Sequence, residues 1–292
     1  MAVEKIYFQG INPSENKRNR NQRVLKPDIM ESNDQEKLNA AKEMKGAATL
    51  AAETSAGIIH PKKDEVRTNG KIFEKEKFVN DPDFGEIRYI DTYDVKTNQK
   101  IKAARFYPDG KTVHGIYEYN PEGKLMKTTQ FYKDGKTTRA VINYAHQTGN
   151  RVKIMHFYKD GKTVKRIEDC NPQTGKRVKD TEFYTNGVTP CCISEYDDQT
   201  GKKIKETCFC SDGKTRGSVC EFNLLTGEKE RLTMFYPDGK TIEYIEEYDR
   251  QGNLVKATTF YKNGAIHAVC EYVPEVGEIE NISLFNEDGN IM

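Results

Sequence analysis

From about residue 98 to residue 292, apolar and polar residues alternate with a period of two, in runs of about eight residues bounded by Gly-containing turns. In one set of runs, Ile116, Val141, Ile167, Ile193, Val219 and Ile245 are each followed two positions later by Glu118, Asn143, Asp169, Glu195, Glu221 and Glu247. β-Branched and aromatic residues at this spacing specify strands rather than helices.

The pattern also repeats along the chain. Asp-Gly and Asn-Gly pairs place glycines at 110, 135, 161, 187, 213, 239, 264 and 289, a period of 25 or 26 residues. A second series lies half a period away, at Gly123, Gly149, Gly175, Gly201, Gly227, Gly252 and Gly277, with Asn98 standing in for the first copy. Glycine, with asparagine as its substitute, is what a left-handed backbone position selects. Each unit therefore holds two turns and two strands, and a sustained period of this length signals an array.

Turn chemistry sets an expected register. In Tyr107-Pro108-Asp109-Gly110-Lys111 the proline excludes a mirror-image turn and predicts a type I turn ending on a left-handed glycine. Such a three-residue loop pairs Tyr107 with Lys111, sets Lys102 opposite Ile116 and leaves Glu118 diagonal to Lys102. Stacked units then form columns. Phe106, Phe131, Phe157, Phe183, Phe209, Phe235, Phe260 and Phe285 share one face with Thr129, Thr181, Thr207, Thr233 and Thr258, and with Lys102, Lys127, Lys153, Lys179, Lys205, Arg231 and Lys256. Glu beside Lys in the column offsets its self-repulsion. The opposite face carries Tyr107, Tyr132, Tyr158, Tyr184, Tyr236 and Tyr261 beside freely varying positions, and these tyrosines are the candidate binding face.

The predicted fold is all-β: tandem antiparallel hairpins of 25–26 residues forming an elongated or curled β-meander of about 16 strands. An open array of that size would run roughly 75 Å. Closure into a propeller or shell is the alternative, because open sheets rarely exceed about ten strands. Residues 98–292 form the array and residues 66–97 a degenerate capping repeat, with Phe78 falling eight residues after Gly70. The C-terminal copy is expected to end at Gly289 without a returning strand. Upstream, residues 1–30 read as a disordered arm, 31–57 as a short Ala-rich helix opened by a capping box at Ser32, and 58–65 as a linker. Glu4, Tyr7, Gln9 and Gly10 resemble an engineered potyviral protease site, but Lys5 and Ile6 depart from it, and the segment reads as a native start.

Composition narrows the function classes. Lys and Arg number 46 against 45 Asp and Glu, a net charge of +1, and 31% of residues are charged. No stretch approaches the roughly 18 apolar residues that a membrane span needs, and no secretory signal is recognisable. A nucleic-acid partner is not expected for the array, since its Lys column is matched by Glu; only Lys17, Arg18, Arg20, Arg23 and Lys26 form a basic cluster. Seven cysteines, an odd number, point to free thiols in a reducing cytoplasmic compartment, with signal-less export as the alternative. On the expected register Cys192 lies diagonal to Cys208, and Cys192, Cys208, Cys210 and Cys220 share one face as weak candidates for a metal site or a redox pair. The five histidines have no ligand or triad spacing, and no phosphate loop is present. No cofactor and no enzymatic activity are expected.

Written as Phe-Tyr-x-Asp-Gly-Lys-Thr-x-x-x-Ile-x-Glu-Tyr-Asp-x-x-Thr-Gly-Lys-x-Ile-Lys-x-Thr, the unit resembles an uncharacterised family of bacterial tandem-repeat proteins known only as a domain of unknown function. The likeness covers about residues 89–292. More distantly, Tyr248-Asp249-Arg250-Gln251-Gly252-Asn253-Leu254 is similar to the YD repeats of Rhs-type toxins, and the hairpin unit to variant MORN repeats. The resemblance implies a fold and no activity. The expected role is a non-catalytic scaffold that binds a protein partner through an extended sheet face or edge; glycan or cell-surface binding by the Tyr column is the alternative.

Overall fold

The computed structural model describes residues 67, 68, 70–82 and 85–292. The expectations for residues 1–30, 31–57 and 58–65 lie outside the described residues. The rest is strand and turn. After the two-residue strand Arg67–Thr68 come Ile72–Asp81 and Gly85–Asp94, then fourteen strands of seven residues from Lys100–Phe106 to Ile266–Tyr272, and a last strand Ile279–Leu284. Each pairs antiparallel with its neighbours in sequence, so the sheet is one meander. Among the described residues no ladder joins the first strand to the last, so the sheet is open, and none of its elements is a helix long and apolar enough to cross a membrane.

Outgoing strands such as Lys100–Phe106 and Leu125–Phe131 end in the Phe column, and returning strands such as Val113–Tyr119 and Thr138–Tyr144 mostly end in Tyr. Directly opposite residues form four rows across the sheet. On the Phe face one row runs Ala104, Ile116, Thr129, Val141, Met155, Ile167, and the next runs Lys102, Glu118, Lys127, Asn143, Lys153, Asp169. Burial concentrates in the N-terminal half of this face. Phe106, Val113, Ile116 and Phe131 form one cluster, and Val141, Met155, Phe157 and Val164 another. The guanidinium of Arg88 lies 4.5 Å over the Phe106 ring and closes that end.

The register differs from expectation by two residues. Lys102 faces Glu118 directly and Ala104 faces Ile116. The loop holds four residues, 108–111, because Tyr107 N–H donates to the Thr112 carbonyl at 2.8 Å. The cause is Asp109, whose carboxylate accepts the N–H groups of Lys111 at 2.9 Å and Thr112 at 2.8 Å, and also the Thr112 hydroxyl. That Asx turn holds one more residue in the loop. A bulge then supplies the second residue of the shift, since Phe106 faces Val113 whereas Arg105 faces Gly115, leaving His114 without a partner position. A slip of two preserves every face. Where the unit is one residue shorter, as at Tyr261, the loop does hold three residues, with Tyr261 N–H bonded to Ala265.

Bulges recur at both ends of the seven-residue strands, for example between Glu118 and Tyr119 on the other turn. Each bulge bends its strand and adds twist. The hairpin of Ile72–Asp81 with Gly85–Asp94 has ten-residue strands and no bulge, and Phe78, placed opposite Arg88, is 41% exposed rather than buried. At the other end a single bridge joins Ile291 to Phe285, and no returning strand follows Ile279–Leu284 among the described residues.

Candidate binding face

The face opposite the Phe column is bordered by two aromatic columns. The first is the expected set, Tyr107, Tyr132, Tyr158, Tyr184, Tyr236 and Tyr261, each half-buried. All six hydroxyls donate to the carbonyl of the Phe one repeat further on: Tyr107 to Phe131, Tyr132 to Phe157, Tyr158 to Phe183, Tyr184 to Phe209, Tyr236 to Phe260 and Tyr261 to Phe285, at 2.7–3.2 Å. The phenols therefore rivet repeat to repeat, and what they offer outward is ring surface. Burial raises the pKa of Tyr158, Tyr184 and Tyr236, with nearby acids adding to it. Cys210 takes the Tyr position in one repeat and interrupts the column.

The second column was not singled out in the sequence: Tyr93, Tyr119, Tyr144, Tyr196, Phe222, Tyr248 and Tyr272, interrupted by Cys170. Cations ride on it. Lys100 lies 4.5 Å from the Tyr119 centroid, Arg177 5.2 Å from Tyr196, and Lys203 5.5 Å from Phe222. The signal available was the basic residue two places after the second glycine, in Lys176-Arg177 and Lys202-Lys203, paired with the aromatic residue that ends the next returning strand.

Between the columns run two rows whose chemistry changes along the sheet. One passes Arg105, Gly115, Gln130, Ala140, His156, Arg166 and Glu182 to Cys192 and Cys208. The other passes Tyr117, Thr128, Ile142, Ile154, Glu168, Asp180, Ser194 and Glu206 to Cys220. Where Glu168 and Asp180 replace the apolar residues, a buried network forms. Glu168 meets His156 at 2.9 Å and Arg177 at 2.8 Å; Asp180 meets Arg166 at 2.6 Å. Burial opposes the charge of Arg177, but its bond to the Tyr196 hydroxyl and the two carboxylates outweigh that and raise its pKa. Two adjoining depressions open here. The first, about 200 Å³, is lined by Tyr132, Arg139, His156, Phe157, Lys165, Arg166 and Glu182. The second is lined by Tyr132, Phe157, Tyr158, Lys159, Asp160 and Lys165.

Of the cysteine candidates, Cys192 and Cys208 stand directly opposite rather than diagonal, because of the same register difference, and are joined in a disulfide with Cα atoms 4.1 Å apart. That corrects the expectation of seven free thiols for this pair. Cys220 is buried one row away and Cys210 is exposed in the Tyr column. Burial raises the Cys220 thiol pKa. Among the described residues, no group of three or more His, Cys, Asp or Glu side chains is placed to hold a metal ion.

A family model described as a protein of unknown function (DUF2963) matches residues 81–130, 131–182, 157–198, 183–233 and 235–284. No curated protein matches the chain by sequence. Among solved structures, the chain is 12% identical to accessory secretory protein 1, 2 and 3 of Streptococcus pneumoniae over 44% of its length and 22% of that chain, with a TM-score of 0.27. It is 13% identical to a TarM mutant from S. aureus, in complex with fondaparinux, α-GlcNAc-glycerol and UDP, over 47% of its length and 32% of that chain, with a TM-score of 0.25. A porin-like protein from Bacteroides uniformis is 11% identical over 80% of this chain and 96% of that one, with a TM-score of 0.17. At these scores the likenesses bear on neither fold nor function.

Proposed function

Because the chain belongs to the DUF2963 family, whose description assigns no activity, we propose a role from the sheet itself: a non-catalytic repeat scaffold whose Tyr-bordered face binds a protein partner. The observation that carries this reading is the contrast between fixed and variable positions on that face. The bordering positions, from Tyr107 to Tyr261 and from Tyr93 to Tyr272, are aromatic in all but the Cys170 and Cys210 copies, whereas the two rows between them change from Tyr117, Thr128 and Ile142 to Glu168 and Asp180 and then to Cys220 and Leu232. Repeat scaffolds tune recognition by this division between framework and infill. The Phe face is a poorer candidate, because its columns are occupied by the core and by ion pairs such as Lys127 with Glu118 at 3.6 Å. Those pairs also cancel the field that nucleic acid would need, so the array is not proposed to bind it.

The test is capture by the full chain, compared between variants of the two faces. The first row continues from Cys208 through Ser218, Met234 and Tyr244 to Thr259, so Met234→Glu and Thr259→Lys alter a variable row, and Lys153→Gln with Asp169→Asn alters the Phe face. Loss of one specific protein with the first pair and its retention with the second is the expected outcome. Equal capture by both variants, or saturable sugar binding on a glycan array with no face-dependent protein, would falsify the proposal.

A further inference from the structure

The two depressions share Tyr132, Phe157 and Lys165 and lie at the one place where the bulge column carries permanent cations. Along that column stand His114, Arg139, Lys165, Cys191, Gly217, Glu243 and His267, each the extra residue of its bulge. Arg139 and Lys165 occupy successive returning strands on either side of Arg151–Phe157, so their backbones are two strand spacings apart, roughly 10 Å. Arg139 donates to the Gln130 side-chain oxygen at 2.8 Å. Neither Arg139 nor Lys165 makes an ion pair among the described residues, whereas the neighbouring Arg166 and His156 are committed to Asp180 and Glu168. Glu182 is the only acid lining the first depression. The pair thus leaves an excess of positive charge flanking a hollow floored by His156. Beside it, the half-buried rings of Tyr132 and Tyr158 line the second depression together with Lys159 and Asp160.

We propose that this hollow is a subsite for an aryl phosphate, specifically a phosphorylated tyrosine presented by the protein partner. The inference rests on the scaffold reading and gives that partner a chemistry. Its ring lies against Tyr132 and Tyr158, and its phosphoryl oxygens are taken by Arg139 from one side and Lys165 from the other. A tetrahedral dianion suits two cations approaching from opposite directions, whereas a planar carboxylate is satisfied by a single guanidinium.

The full chain is titrated with phenyl phosphate and with a phosphotyrosine peptide by calorimetry, beside benzoate, glucose 6-phosphate and the unphosphorylated peptide. Saturable binding of the two aryl phosphates is expected. Lys165→Gln and Arg139→Gln should each weaken it at least about fivefold, and the double variant should abolish it; two neutralised charges remove most of such an interaction. Both side chains are exposed, so the melting temperature should be unchanged. No saturation at millimolar phenyl phosphate, equal binding of benzoate, tighter binding of glucose 6-phosphate, or undiminished binding by the double variant would each overturn the proposal. If the aryl phosphates fail while Met234→Glu still abolishes partner capture, the scaffold reading stands and this subsite falls. Binding that depends on Arg139 and Lys165 supports the subsite even if partner capture proves indifferent to the face.

Discussion

The Tyr132 hydroxyl donates to the carbonyl oxygen of Phe157, 25 residues away, at 2.9 Å. That carbonyl belongs to the residue where the outgoing strand of the next repeat gives way to its turn, so the bond ties one turn to the next. Tyr132→Phe keeps the ring and removes the tie. It should cost about 0.5–1.5 kcal/mol, the net worth of one hydrogen bond, read as a lower urea midpoint with an unchanged slope. A variant as stable as the parent would show that the phenol bonds water equally well.

Turn glycines separate two costs. Gly135 and Gly110 both have positive φ, 69° and 64°, but a Cβ on Gly135 would meet Thr112 Cγ2 at 2.8 Å, whereas one on Gly110 meets nothing within 4 Å. Gly110→Ala should lose only the backbone term of about 1–2 kcal/mol. Gly135→Ala should lose more, and Thr112→Ser should recover part of the excess, since the Val113 backbone nitrogen at 3.1 Å remains. Equal losses in thermal melts would mean that successive turns do not bear on one another.

The disulfide between Cys192 and Cys208 closes a segment of 16 residues. In the loop-entropy view such a closure stabilises by up to ~3 kcal/mol. Reductant should lower the unfolding midpoint of the parent and leave a Cys192→Ser/Cys208→Ser variant untouched. Identical response of both would exclude the cross-link from the folded protein.

Acid should loosen the turns before the core. The Thr112 hydroxyl and N–H hold the Asp109 carboxyl below its usual pKa, and the Thr137 and Thr163 hydroxyls act likewise on Asp134 and Asp160. A depressed folded pKa means stability that is fully present above the unfolded value near 4 and is lost as pH falls through the lower folded value. Stability should therefore decline below about pH 4. Asp160→Asn should flatten that decline while keeping the turn, as Asn186 does by accepting the N–H groups of Val188 and Thr189 at 3.0 and 2.9 Å. An unchanged acid limb in this variant would place the sensitivity elsewhere.

Strands, faces and turn positions were legible because a two-residue period and a glycine at positive φ are local properties. Gly110 and Asn98 both take the left-handed conformation that their chemistry announces. Register was not legible, since it depends on whether Asp109 captures one more N–H and on a bulge at His114, and neither leaves a mark in the alternation. The role of Tyr132 was hidden for a similar reason: its partner is a backbone carbonyl, which every residue possesses. The charged network could have been suspected. Glu168 sits at the position where earlier repeats place Tyr117 and Ile142, and such a break in a column is visible once repeats are aligned. Its partners Arg166, Arg177 and His156 came from rows that needed the true register. Which face is buried was not legible in the alternation, and burial is uneven along the Phe column: Phe209 and Phe235 are only half-buried, unlike Phe106 and Phe131.

Because each strand's hydrogen-bonded neighbours are also its neighbours in sequence, no contact in the ladder waits for a distant part of the chain to arrive. Closure entropy is low for every pairing, and such topologies fold fast from any starting point. Under load the same arrangement has no single clamp. Pulled by its ends, the sheet should peel from an edge one hairpin at a time, giving a sawtooth of nearly equal steps, each releasing one repeat of 25 or 26 residues. The protein would then yield gradually, a spring of serial links in which a broken repeat leaves its neighbours standing.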